Sequence, residues 1–269
     1  MRARLLVLLF VLVAAVSPAA AQQPAASSSP PAVTAAASSR IWEGRHEEFE
    51  AFLREAPFRR FEDVPVGVTR PQRGFFDAGG PVASAAWKLL PPGRPHGYWE
   101  SYKSEIAAYE LDKLLGLGMV PPAVEKRVRG ERGAAVLWVE GVRSWKAVED
   151  LPKPAKWNRE AIRMKMFDNL IGNIDRNAGN LLVDADWNLY LIDHSRAFVT
   201  DTKLKVEMVR IDKGIWERMA ALDETKLSEA LGTWLTGGAI KAILKRRDNM
   251  QKVIDKLLKN SPEAVVFIK

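Results

Sequence analysis

Residues 167–198, FDNLIGNIDRNAGNLLVDADWNLYLIDHSRAF, constrain the fold more than any other stretch of the 269-residue chain. Ile162, Met166 and Leu170, with Phe167 and Ile171 beside them, recur at helical spacing behind Asn158, a candidate N-cap. The spacing predicts a buried helix that ends near Gly172. Leu181–Val183 and Leu189–Ile192 are short apolar runs separated by the polar stretch 184–188, the pattern of a hairpin. Folding that hairpin back sets Asn180 beside Asp193, with Asp175 on the loop leading in. Asp175 lies five residues before Asn180, and Asp193 thirteen after it. Those intervals suit a phosphoryl-transfer site, in which one carboxylate orients a hydroxyl nucleophile while an amide oxygen and a second carboxylate hold Mg²⁺ against ATP phosphates. Acidic turns beside a hairpin are also an ordinary structural feature, and the segment taken alone leaves that origin open.

Gly172-Asn173-Ile174-Asp175-Arg176 with Asn180, followed by Ile192-Asp193 and Phe198, resembles the signature of an atypical branch of the protein-kinase-like superfamily. That branch includes type II phosphatidylinositol 4-kinases, HipA-type kinases and secretory-pathway Golgi casein kinases. The resemblance spans about residues 62–215. It implies a two-lobed, kinase-like α+β fold, with a β-rich small lobe carrying one helix over residues 40–141 and a mostly helical large lobe over 142–269. It further implies Asp175 as catalytic acid/base, Asn180 and Asp193 as ligands of Mg²⁺ or Mn²⁺, and Arg176 as a residue that stabilises the loop. Asn177 departs from the pattern, since many relatives carry His there, and so does the His194-Ser195 pair after the metal-type Asp. Neither change removes a phosphate or metal ligand.

A kinase-type site also needs a strand lysine for the ATP phosphates and a helix glutamate to hold that lysine. Lys88 lies in the apolar run Val82–Leu90, after the Gly79-Gly80-Pro81 turn signal. Glu105 lies near the edge of the stripe formed by Ala107, Leu111 and Leu114 on a helix expected over Trp99–Leu115. Singly, Lys88 fits a snorkelling edge-strand lysine and Glu105 a solvated helix face; together, upstream of the Asp175 loop, they form the expected ion pair. The stretch Val64–Gly74 resembles the GxTxP-type nucleotide turn of this branch, with Gly67 permitting close approach to phosphate and Thr69 and Arg70 donating to it; a plain hairpin turn fits equally. In a kinase, Ala134–Gly141 is the last small-lobe strand and the hinge, and backbone near Trp138, Val139 and Glu140 would meet adenine.

MRAR, the apolar run Leu5–Val16 and Ala19-Ala20-Ala21 read as a secretory signal over residues 1–21, placing the body in the periplasm or outside the cell. An uncleaved anchor is the alternative, although twelve apolar residues are short for a membrane span. The Ala/Ser/Pro stretch 22–39 carries no charge and reads as a disordered spacer. No cysteine is present, so disulfides and thioether lipid anchors are excluded. The net charge of +7, or +5 without Arg2 and Arg4, does not call for nucleic acid. His46, His96 and His194 are too scattered for a zinc set. Adjacent Asp193, His194 and Ser195 on an extended segment point apart and cannot form a hydrolase triad. Helices are expected over Leu204–Leu222, over Glu224–Leu235 behind Asp223, and over Ala239–Lys259. The last carries Lys241, Lys245, Arg246, Arg247, Lys252, Lys256 and Lys259 on one side, either a solvated face or a dock for an acidic protein or anionic lipid surface. The expected activity is ATP- and Mg²⁺-dependent phosphoryl transfer to a hydroxyl of a protein, lipid or sugar. An exported, non-catalytic binding module on the same fold is the competing expectation.

Overall fold

The computed structural model describes residues 40–65, 71–95 and 97–268. The signal and spacer expected over 1–39, and the Gly67, Thr69 and Arg70 turn, lie outside the described residues. Five antiparallel strands, β1 (Arg60–Asp63), β2 (Gln72–Phe75), β3 (Ser84–Lys88), β4 (Ala123–Val128) and β5 (Glu131–Leu137), form a sheet in the order β1-β2-β3-β5-β4. Lys88 therefore sits on the central strand rather than on an edge.

Strand alternation gives the sheet two faces. Ala86 pairs with Arg73 on one side and Val136 on the other, and Lys88 pairs with Ala134, so these side chains share a face with Ser84 and Phe75. The opposite face presents Ala85, Val124, Ala135 and Leu137 to Trp42, Phe49 and Leu53 in a second core. Phe49 and Leu53 belong to α1 (His46–Glu55), a small-lobe helix additional to the expected one. Gly74 has no room for a side chain, because a Cβ there would stand 2.4 Å from the Phe58 ring.

The expected small-lobe helix is α2 (Tyr102–Leu115), capped by the Ser101 hydroxyl and closed by Gly116 in the left-handed region. Its residues Tyr102, Ile106, Ala107, Leu111 and Leu115 join Ala134 and Val136 of the sheet to the main core of the helical half. That core includes Met166, Phe167, Leu170 and Ile171 of α3 (Ala155–Ile171) and the hairpin of β7 (Leu181–Val183) and β8 (Leu189–Leu191), against which the two-residue strand β6 (Arg143–Ser144) pairs at β7. Asn158 lies inside α3, which begins after Pro154, so the expected Asn158 cap is not formed. Pro154, with φ fixed at −69°, stands at the cap position and the helix starts four residues earlier than expected.

Beyond the hairpin come α4 (Lys213–Ala220), α5 (Glu224–Leu231) and α6 (Gly237–Asn260), capped by Asp212, Asp223 and Thr236. The helix expected over Leu204–Leu222 exists only in its second half. Asn169, wholly buried on α3, accepts the amides of Lys205 (2.7 Å) and Val206 (2.9 Å), and donates to the Val206 carbonyl (2.8 Å). These bonds replace the helical ladder over that stretch. Arg246, expected on the basic face of α6, is instead fully buried: it donates to the carbonyls of Leu170, Val199 and Asp201, each at 2.8 Å, and burial pulls its pKa down to about 10. No helix among the described residues is long and apolar enough to cross a membrane.

Asp112, near the end of α2, is buried and accepts three amides of the following turn, from Gly118 (3.0 Å), Met119 (3.0 Å) and Val120 (3.1 Å). Burial outweighs those donors and pushes its carboxyl up to about 7 from the usual 3.8. The folded state thus binds this proton more tightly than the unfolded chain, so stability from this group is full below 3.8 and falls as pH rises to about 7. Asp112→Ala leaves three buried amides unpaired and is expected to cost about 3 kcal/mol. The cost should be larger at about pH 5 than at about pH 8 in chemical denaturation, because the wild type has already lost part of its advantage at the higher pH. Equal losses at both would refute the assignment.

Candidate active site

Gly172 ends α3 at φ 61°, where a Cβ would stand 2.8 Å from the Arg246 guanidinium, and the chain turns there into the Asp175 loop. Asn173 ties the loop down at both ends: its amide donates to Asp168 (3.0 Å) and its oxygen accepts from the Asp175 backbone (3.0 Å). Asn177 caps the short turn Ala178–Asn180 by accepting the Gly179 amide at 2.8 Å. Asn177 therefore has a local structural role.

Arg176 joins the parts. Its guanidinium pairs with Asp168, wholly buried, through Nε and Nη2 at 3.0 Å each. Nη1 donates to the carbonyls of Asn180 (3.1 Å) and Ile192 (2.8 Å), the residues at the start of β7 and the end of β8. Nη2 also meets His194 Nε2 at 2.9 Å. A guanidinium has no acceptor, so His194 Nε2 accepts and its proton resides on Nδ1, 3.7 Å from Glu105 Oε2. Burial holds the imidazole below its usual range, which keeps it neutral. His194 and the neighbouring Asp193 thus face different partners, although the segment is not extended as expected: Asp193 lies in the left-handed region and its carboxylate accepts the Ser195 hydroxyl.

Lys88 crosses from the sheet to the helical half. Its Nζ lies 2.6 Å from Glu105 Oε1 and 3.0 Å from Asp193 Oδ1. Glu105, only 3% exposed, also accepts the His194 amide at 3.0 Å through its other oxygen, so α2 and the segment after β8 share one carboxylate. Burial by itself pulls Lys88 down, but Asp193 and Glu105 outweigh it and set its pKa above the usual lysine range. Burial likewise pushes Glu105 up, and the Lys88 charge and His194 outweigh it, so its carboxyl stands well below the usual range. The pair is ionised throughout the physiological range.

Asp193 has φ 60°, a conformation that turns its carboxylate out of the strand line. Its Oδ1 takes Lys88 and the Ser195 hydroxyl (3.2 Å). Asn180 lies alongside, because the Ile192 amide donates to its carbonyl at 3.2 Å. The Asn180 amide nitrogen donates to the Asp175 carbonyl at 3.0 Å, which orients that side chain by its nitrogen. The second Asp193 oxygen and the Asn180 amide oxygen are hard donors suited to Mg²⁺ or Mn²⁺. Among the described residues no group of three or more His, Cys, Asp or Glu side chains could hold an ion without further ligands. Two protein oxygens would leave most of the shell of such an ion to other ligands.

At the hinge end, the Trp138 amide donates to the Ser84 carbonyl at 3.2 Å. Ser84 and Lys88 lie on the same face, about 13 Å apart along β3 at a rise of about 3.3 Å per residue. Trp138 and Glu140 flank this end, whereas the Val139 side chain packs into the second core and leaves only its backbone to the cleft side. Arg73 gathers them: it donates to Ser84 Oγ at 2.9 Å, forms an ion pair with Glu140 and lies 4.4 Å over the Trp138 ring. Sequence reasoning missed Arg73, since arginine on a short strand carries no positional signal of its own. It also missed Arg196, which pairs with Asp175, and Glu100, which pairs with Arg196.

No protein-family model matches the chain, and no curated protein matches it in sequence. Solved structures do match. Hydra Fam20 with sugar superposes with a TM-score of 0.61 at 17% identity, over 81% of this chain and 90% of that one. The Golgi casein kinase with Mn/ADP bound gives a TM-score of 0.63 at 16% identity, over 84% and 79%. At these identities the likeness is one of architecture: the chain has the kinase-like fold, with a sheet-bearing small lobe and a helical large lobe.

Removing Lys88 strands a buried carboxylate. Lys88→Met is expected to destabilise the protein by about 3 kcal/mol, and adding Glu105→Met should recover much of that loss, because the unpaired charge goes with it. A double-mutant cycle by thermal and chemical denaturation checks the coupling; additive losses would mean that the two side chains do not depend on each other.

Proposed function

We propose that the chain is a Mg²⁺- or Mn²⁺-dependent ATP phosphotransferase acting on a hydroxyl acceptor, borne by a protein Ser/Thr, a lipid or a sugar. The observation that carries this reading is Lys88, held between Glu105 at 2.6 Å and Asp193 at 3.0 Å across the two halves of the fold. A cation fixed so close to a metal-type carboxylate is placed to neutralise charge on phosphate. Asn180 and Asp193 would hold the metal, whose contribution is to screen the phosphate charge and fix the phosphate orientation. Asp175, with a half-buried carboxylate on the loop that Arg176 anchors, would accept the acceptor's hydroxyl proton. Trp138 and Glu140, with the backbone of Val139, would contact the base, and Gly67, Thr69 and Arg70 the phosphates. Most of the rate enhancement would come from positioning and electrostatics.

Export through residues 1–21 would place the enzyme in the periplasm or outside the cell. The solvated side of α6, with Lys241, Lys245, Lys252, Lys256 and Lys259 exposed, would present its charge to an acidic protein or anionic lipid surface. A second reading, a non-catalytic binding module, draws on one observation: Arg73, with Glu140 and Trp138, fills part of the hinge end of the cleft.

Purified protein should show a thermal shift with Mg-ATP and Mn-ATP that exceeds the shift with nucleotide alone. Asp193→Ala should abolish the metal-dependent part and transfer with it. Asp175→Asn should keep nucleotide binding and lower autophosphorylation or ATP turnover by about 10²–10⁴-fold. A wild type without any nucleotide response would select the binding module.

A further inference from the structure

The phosphotransferase reading employs two cation–carboxylate clusters at the cleft, Lys88 with Glu105 and Asp193, and Arg176 with Asp168, and leaves a further one beside Asp175 without a role. Its cation is Arg196. Its Nε and Nη2 both donate to Glu100 Oε1, at 2.7 and 2.6 Å, and its Nη1 reaches Asp175 Oδ2 at 3.2 Å. Glu100 is wholly buried and lies at an isolated antiparallel bridge with Gly93, where both backbone bonds are formed (3.0 and 2.9 Å). The next amide, Ser101, donates to the Ser195 carbonyl at 3.0 Å, which fixes Glu100 and Arg196 relative to one another. The Tyr98 ring covers the guanidinium at 5.1 Å.

The guanidinium is therefore held from behind by an anion with no solvent access, while one amino group faces the cleft side. The hydrogen bond it donates to Glu100 is the main cause that raises its pKa, and the charges of Asp175, Glu100 and Asp193 add to it. Arg196 thus lies in the field of both carboxylates between which a phosphoryl group would pass. A surface arginine serving only structure has no need of this orientation: Glu100 alone would neutralise it, and the third nitrogen would face water.

Resting on the phosphotransferase reading, we propose that Arg196 stabilises the phosphoryl group in flight, as an arginine finger supplied by the chain itself from the segment after the metal-type aspartate. In the step, the acceptor oxygen bonds the γ-phosphorus and the bond from that phosphorus to the β–γ bridging oxygen breaks. The electron pair leaves with the nucleoside diphosphate, and the acceptor proton passes to Asp175. When the acceptor hydroxyl takes its place on Asp175, the Nη1 group of Arg196 turns from that carboxylate to the equatorial phosphoryl oxygens, where negative charge is spread. Glu100 keeps the fork oriented and offsets the cation in the resting enzyme.

The test uses the full chain and water as acceptor, so that ATP hydrolysis isolates a phosphoryl contact from any grip on an anionic acceptor. Arg196→Ala and Arg196→Gln should lower kcat for hydrolysis by about 10²–10³-fold. Mg-ADP affinity, measured calorimetrically, should stay within about threefold of wild type because the contact forms only in the transition state. Free guanidinium ion at millimolar level should restore part of the Arg196→Ala rate and none of the Asp175→Asn rate. Should alanine fail to fold, Arg196→Lys, which keeps the charge and loses the fork, carries the comparison and should retain only part of kcat. A kcat within about twofold of wild type, or a raised KM for ATP with kcat unchanged, would overturn the inference and leave the phosphotransferase reading standing. A wild type that neither binds Mg-ADP nor hydrolyses ATP would overturn both.

Discussion

The Arg176 guanidinium is the interaction on which the rest of the site depends. It sits between a buried carboxylate, Asp168, and two backbone carbonyls from opposite ends of the β7–β8 hairpin. The Ile192–Asn180 and Asn180–Asp175 bonds join the segments bearing Asp175, Asn180 and Asp193 only pairwise, whereas Arg176 ties its own loop and both ends of the hairpin to the Asp168 carboxylate of α3. A lysine could not serve, because three directions of donation from one rigid plane are required. Asp168 in turn has a site because α3 ends at Gly172 and places its last turns in the core. Helix termination, hairpin closure and the placement of the polar residues are thus one event.

Around this anchor each carboxylate is arranged with a cation of its own. Glu105 and Asp193 share Lys88, while Glu100 and Asp175 share Arg196. In each set one member is almost wholly buried and the other faces the cleft. The buried member fixes the cation, and the outer one keeps capacity for ligands. Buried ion pairs contribute little net stability, so the value of this arrangement lies in geometry. Charges already in position need no reorganisation when phosphate charge arrives.

The Asp175–Asp193 segment was legible because its pattern is local: helical spacing, a left-handed glycine and a short hairpin all lie within about thirty residues. Lys88 and Glu105 were legible as a pair because each sits in an element with clear periodicity. Arg73, Glu100 and Arg196 were not, since their partners are distant in sequence and an arginine or glutamate is equally at home in solvent. The same blindness misplaced Arg246 on the outer face of α6, where the lysine-rich run suggested a continuous stripe. Its burial follows from carbonyls of Leu170, Val199 and Asp201, which no periodicity in α6 can reveal. The missing first half of the Leu204–Leu222 helix has a similar cause in Asn169, a residue on another element.

Helix α2 is bonded at both ends to the helical half. Ser101 donates to the Ser195 carbonyl near its start, and Arg218 of α4 donates to the Leu115 carbonyl at its last turn, at 2.6 Å. Glu105 is fastened to the His194 amide from within it. The same helix is bonded to the small half, through Tyr102 to Glu125 of β4 (2.7 Å) and through Tyr109 and Lys113 to Glu50 of α1 (2.7 and 2.6 Å). A helix fastened on both sides acts as a strut shared by sheet and helical half, and Lys88, meeting Glu105 within it and Asp193 beyond it, braces that strut at the cleft.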